Sequence, residues 1–246
     1  MPLTKLPTTK AKFASLLAAL TMLLCLQSQL NAAVLIKDKQ WANNSEINVV
    51  FLDGSQSVHQ QISLIAPIWL KDTGLRFRFF SNPDSFPTNK HIRISFDSHS
   101  GSVLGNHSDY QSDYATMNLK GLLNPNLSAR EIKRLILHEF GHALGFEHEY
   151  RSKFWPYGHA ALQQIRERCY PQMESIGYDQ VSARSHCDKI NSQLNNRNTL
   201  TTAYDERSIM NYAMSFILND GKVKTIPANF ELSLLDKYAI KRWYPK

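Results

Sequence analysis

At 246 residues the chain is long enough for one medium-sized domain with a real core. Its 28 Lys+Arg against 21 Asp+Glu form no blocks and no basic run interleaved with aromatics, which leaves no ground for a nucleic-acid partner. A balance this mild serves solubility and loose attraction to anionic surfaces.

In chain order, the first feature is an export signal. Lys5, Lys10 and Lys12 precede an apolar run, Phe13 to Leu26, broken only by Ser15 and Thr21. A membrane span needs about 20 apolar residues, so this run reads as a cleaved signal peptide over residues 1–33, cut near Ala33, the alternative being an uncleaved anchor. The mature chain then carries 25 basic and 21 acidic residues, a net +4, and is expected to be secreted or periplasmic with no stable membrane insertion. Met22-Leu23-Leu24 before Cys25 lacks the small residues of a lipid-attachment site. Cys169 and Cys187 remain, an even number in an exported chain. One disulfide between them is the expectation, the alternatives being free thiols or pairing with another chain. Asn43, Asn106 and Asn126 fit the N-x-[ST] glycosylation pattern.

Ile47 to Leu52 is a β-branched, aromatic-rich run ending at the turn pair Asp53-Gly54, and predicts a strand. Val58, Ile62, Ile65 and Trp69 recur at helical spacing, with Gly74 as the expected C-cap. Leu75 to Phe80 and His91 to Phe96 alternate as half-buried strands, separated by a Pro-containing loop. A polar stretch from Asp97 to Tyr114 leads to the short strand-like Ala115 to Leu119. Ser128-Ala129-Arg130-Glu131 is a capping box, opening a helix that should run to about Gly145. From Glu149 to Tyr204 the chain reads as polar and irregular, apart from an amphipathic stretch near Ala160 to Arg168. Leu232, Leu235, Tyr238, Ala239 and Trp243 then predict a closing helix. The order gives an α/β fold with a mixed sheet backed by two helices. We expect one catalytic domain over 34–246, with an upper sheet lobe (34–148), a lower lobe mostly irregular (149–246), and a cleft between them.

The chemistry lies in the capped helix. His138-Glu139-Phe140-Gly141-His142, followed by Gly145 and His148, spells H-E-x-x-H-x-x-G-x-x-H. Histidines four apart share one helical face, so both imidazoles reach one ion. Gly145 can take the left-handed backbone that ends the helix and brings His148 back as a third ligand. Three protein ligands leave one zinc position open for water, and Glu139, one step round the helix, is placed as general base and acid. The expected cofactor is a single catalytic Zn2+.

This motif resembles that of the metzincin zinc metalloproteases, and its details resemble the astacin-like branch, in a bacterial-type relative. The likeness implies a two-lobed zincin fold and a secreted zinc endopeptidase that binds an extended protein or peptide along an edge strand, here placed between Ser102 and Leu119. It also implies that Glu149, next to His148, holds internal structure beneath the site. Tyr204 to Tyr212 resembles the Met-turn stretch: Met210 becomes the apolar floor under the imidazoles, and Tyr212 the phenol that ligates zinc at rest and stabilises the oxyanion. Asn211 stands where astacins usually carry His, and Tyr150 to Phe154 does not match their charged run. The same site allows two other readings, a zinc amidase acting on cell-wall peptides and a secreted binding module with structural zinc. Nothing in the sequence bears on oligomeric state.

Overall fold

A computed structural model describes residues 33–106, 113–194, 197–201 and 203–246. The signal reading falls almost wholly on residues 1–32 and lies outside the described residues.

Five strands form one sheet: β2 (Glu46–Phe51), β3 (Arg76–Phe80), β4 (Ile92–Ser95), β5 (Gly101–Ser102) and β6 (Met117–Asn118), in the order β3-β2-β4-β6-β5. The first four in that order run parallel, with Val49 beside both Phe79 and Ile92, and β5 closes the edge antiparallel to β6. β2 is buried along nearly its whole length, which is why it reads as a continuous apolar run rather than an alternation. Two helices back the sheet. α1 (Gln56–Ile65) is capped by the Ser55 side chain, which accepts from the Val58 amide. α2 (Ala129–Ala143) begins with the full capping box, Ser128 N donating to Glu131 Oε2 at 2.8 Å. Ile47, Val49, Ile62, Trp69, Ile94 and Phe140 fill the space between, and each such burial is worth roughly 1.5–3 kcal/mol.

Two sequence expectations need correction. Gly74 is not the cap of α1: Pro67 tightens the chain into a 3-10 turn over Ala66–Leu70, and the left-handed position is taken by Asp72 (φ 65°). Gly74 is there for room, since a Cβ would lie 2.5 Å from Asn44 Oδ1 and 2.7 Å from the Pro245 carbonyl. The stretch from Glu149 to Tyr204 is also richer in helix than its polarity suggested, carrying α3 (Gly158–Ser175) and α4 (Gln180–Ile190). Each buries few residues, chiefly Ala161, Leu162, Cys169, Ala183 and Cys187, so neither shows a strong apolar stripe. A Cys169–Cys187 disulfide ties the pair together.

The remaining elements frame the site. β1 (Val34–Ile36) lies between β7 (Phe146–Glu147) and β8 (Thr199–Thr201), antiparallel to both. β9 (Met214–Ile217) and β10 (Val223–Ile226) make a hairpin packed with Tyr150, Trp155 and Leu162 in a second apolar cluster. α5 (Leu234–Trp243) ends the chain, near the expected closing helix, with Trp243 against Phe146.

Candidate metal centre

α2 supplies two ligands and its end supplies the third. His138 and His142 sit one turn apart, both buried, and the helix stops at Leu144. Gly145 takes φ +93°, a conformation that side chains resist, and the chain turns into β7 so that His148 faces back. The three Nε2 atoms converge: His148 Nε2 lies 3.2 Å from that of His138 and 3.1 Å from that of His142. Ligands about 2.0–2.1 Å from a tetrahedral ion stand roughly 3.3 Å apart, so the spacing fits zinc.

The far side of each ring is also fixed. His138 Nδ1 is 2.9 Å from the Ile209 carbonyl and His142 Nδ1 is 2.8 Å from that of Phe146, so in both rings Nδ1 carries the proton and donates. Their Nε2 lone pairs are thereby left free. Burial holds all three imidazoles neutral, with His138 pushed down to about 3 and His148 well below its ordinary value. The two bare Nε2 atoms and that of His148 aim at one point, an arrangement that suits a cation, and among the described residues this is the one His/Cys/Asp/Glu cluster of that geometry. His138, His142 and His148 could hold one metal ion between them.

Glu139 is buried beside the first ligand, and its Oε2 has no hydrogen-bond partner. Burial raises its pKa to about 8, opposed by the charge of Arg134. A divalent ion at the imidazoles would pull that value back down. Tyr212 lies over two ligands, with ring centroids 4.5 Å from His148 and 5.2 Å from His138, and burial then Glu139 push its hydroxyl upward. Its residue is nonetheless 42 % exposed, so one side of the ring meets the cleft.

Met210 is fully buried beneath the helix, against Gly141: a Cβ there would collide with the Met210 sulfur and come within 3.0 Å of Trp69. The turn that carries it is pinned by Asp236, which accepts from Ser208 Oγ (2.7 Å) and from the Ile209 amide (2.9 Å). Glu149 accepts from the Asp205 amide at 3.2 Å, beneath that same turn.

Three residues around the site were not singled out from sequence. Arg134, half-buried, donates to the Asn211 carbonyl at 3.3 Å; its place one helical turn before His138 was a usable signal. Tyr150 and Asn191 meet through a 2.7 Å hydrogen bond across 41 residues, and no local pattern announces that. The other histidines among the described residues stay apart from the triad: His59 stacks on Phe51, and His91 accepts from the Asn48 amide.

No family model and no curated protein matches the sequence. Solved structures do. The chain is similar to one described as the structure of myroilysin, at 26 % identity and a TM-score of 0.67, covering 87 % of this chain and 98 % of that one. A second, described as the crystal structure of myroilysin, matches at 25 % identity and TM-score 0.60, over 85 % of this chain and 86 % of that one. A hatching enzyme zinc-protease from the medaka fish Oryzias latipes matches at 19 % and 0.49, over 82 % and 91 %.

Proposed function

We infer that this chain, an astacin-like metzincin and a zinc metalloendopeptidase, cuts the backbone of extended polypeptides with a water deprotonated by Glu139. The observation that carries the reading is the partnerless, buried Oε2 of Glu139 beside three converging imidazole nitrogens. A buried carboxylate oxygen without a donor is costly, and it is tolerated where a substrate or water completes it.

Bound zinc supplies a Lewis acid that acidifies water and polarises the scissile carbonyl. The rest falls to the chain. Glu139 takes the proton of the attacking water and returns it to the leaving amine, a role worth typically 10²–10⁴-fold in rate. Tyr212, kept protonated by its raised pKa, donates its hydroxyl hydrogen to the oxyanion. Met210 and Gly141 support the ligand rings from below, and Glu149 holds the chain beneath them. The substrate lies along the outer edge of β5, which among the described residues pairs only on its inner side, with β6.

Export is part of the same reading. The basic start and apolar run of the first 26 residues and the Cys169–Cys187 disulfide support it. No helix among the described residues is long and apolar enough to cross a membrane.

The test is cleavage of casein by the purified protein, with bound zinc counted, alongside a chelator-treated sample and Glu139→Gln. Cleavage should vanish in both while Glu139→Gln keeps its zinc. Turnover surviving in Glu139→Gln would remove Glu139 from the water-activating role.

A further inference from the structure

The three ligand rings are not oriented alike. His138 and His142 each give their Nδ1 proton to a backbone carbonyl, at 2.9 and 2.8 Å. His148 does not. Its Nδ1 is 3.1 Å from the hydroxyl of Tyr150, whose ring stacks on it at a 13° interplanar angle. A hydroxyl differs from a carbonyl in carrying its own proton, and that proton must go elsewhere for the oxygen to accept from His148. It goes to Asn191 Oδ1, 2.7 Å away. Asn191 in turn donates through Nδ2 to the carbonyl of Cys187 at 2.9 Å, and its own amide donates to that same oxygen at 3.0 Å.

Every donor in this chain has one acceptor when His148 carries its proton on Nδ1, which is the form that presents Nε2 to an ion. If Nδ1 were bare, Tyr150 would have two acceptors and a single hydrogen. Tyr150 and Asn191 are both buried, so water is no substitute partner. Cys187 is one half of the disulfide to α3. Asn191 is the C-cap of α4, and a second set of bonds straps the same segment to the ligand loop: Arg151 Nε donates to the Ser192 carbonyl (3.0 Å), and the Leu194 amide donates to the Arg151 carbonyl (3.0 Å).

We propose that Tyr150 and Asn191 are positioning residues that hold the third ligand, His148, by a one-way hydrogen-bond relay from the disulfide-tied helix α4. The proposal rests on His148 being a ligand. It adds that the grip on the metal depends on a part of the chain 41 residues beyond Tyr150. Breaking the disulfide therefore loosens the metal as well as the helix pair.

The experiment is the zinc dissociation constant of the full chain, measured by competition with a chromogenic chelator, with no substrate present. Wild type should bind one zinc. Tyr150→Phe keeps the ring and removes the relay, and should weaken zinc about 10- to 100-fold, the usual effect of losing a partner of a ligating histidine. Asn191→Leu and the pair Cys169→Ser/Cys187→Ser should weaken it in the same direction, by less. Tyr244→Phe is the control: it too removes a buried hydroxyl, one that donates to the Leu144 carbonyl at 2.8 Å, but lies outside the relay and should leave zinc unchanged. Constants for Tyr150→Phe and Asn191→Leu within twofold of wild type would overturn the relay, as would an equal loss in Tyr244→Phe. A wild type that binds no zinc would instead sink the metal centre itself, which separates the two failures.

Discussion

Asp236 gives the sharpest test of the packing beneath the site. Its carboxylate is completely buried and accepts from Ser208 Oγ and from the amides of Ile209 and Ser233, at 2.7, 2.9 and 2.9 Å. Those bonds favour the charged form, yet burial outweighs them and lifts the pKa from 3.8 to about 6, with Asp205 adding a smaller push. A carboxyl raised on folding binds its proton more tightly in the native state. Its contribution to stability is therefore fully present below pH 3.8 and is lost as pH rises through 6. A shift of roughly 2 units is worth about 3 kcal/mol, of which about 2–3 kcal/mol should disappear between pH 4 and pH 7. Asp236→Asn keeps the shape and removes the titration. Urea unfolding followed by tryptophan fluorescence, with chelator present at every pH to keep metal out of the balance, should show the variant gaining on wild type by that amount over the interval. Parallel wild-type and variant curves from pH 4 to 7, or a wild type that gains on the variant as pH rises, would refute the account.

Gly141→Ala should lose about 1 kcal/mol in the same unfolding assay, because crowding against Met210 and Trp69 costs about 1–3 kcal/mol and the helix regains about 1. A variant more stable than wild type would show the Met210 floor to be soft. Tyr212→Phe should lower kcat on a peptide substrate by about 10²-fold with KM nearly unchanged, since the hydroxyl is assigned to the oxyanion; a kcat within threefold of wild type would remove that role. Replacing Cys169 and Cys187 by Ser opens a loop with a sequence separation of 18 and should cost about 3 kcal/mol, read as a shift in the urea midpoint; an unchanged midpoint would mean the helix pair does not need its tie.

The parts legible in the sequence are those written by local rules. The spacing of His138, His142, Gly145 and His148 encodes a helix face and a left-handed stop, and the structure places them so that the nitrogens meet. Ser128 and Glu131 announce the start of α2, because a capping box needs only three residues of separation. Four of the five strands of the sheet, β2, β3, β4 and β6, were visible for the same reason, while the two-residue β5 lay inside a stretch that reads as polar loop. What stayed hidden depends on distance along the chain. Gly74 resembles a cap in sequence, yet its reason is the approach of Asn44 and Pro245, which no local window contains. α3 and α4 were hard to see because their stability comes from a disulfide and from side-chain bonds to other elements, such as Gln164 Nε2 to the Ile217 carbonyl, rather than from an apolar stripe. Tyr150 and Asn191 belong to the same class.

The three ligands are thus controlled from three different places. His142 is oriented by Phe146, four residues on, so its partner comes with the motif itself. His138 is oriented by the carbonyl of Ile209, and the amide of that same residue is held by Asp236 in the first turn of α5. His148 is oriented through Tyr150 from the C-terminal end of α4. An ion at the centre would tie α2 to the segments held from α5 and α4, and it should stabilise the fold by as much as its binding exceeds that to the unfolded chain. The motif alone therefore makes only one ligand self-sufficient. The orientation of the other two is set by residues far outside it, and affinity for the metal is a property of the whole fold rather than of the eleven residues that name the site.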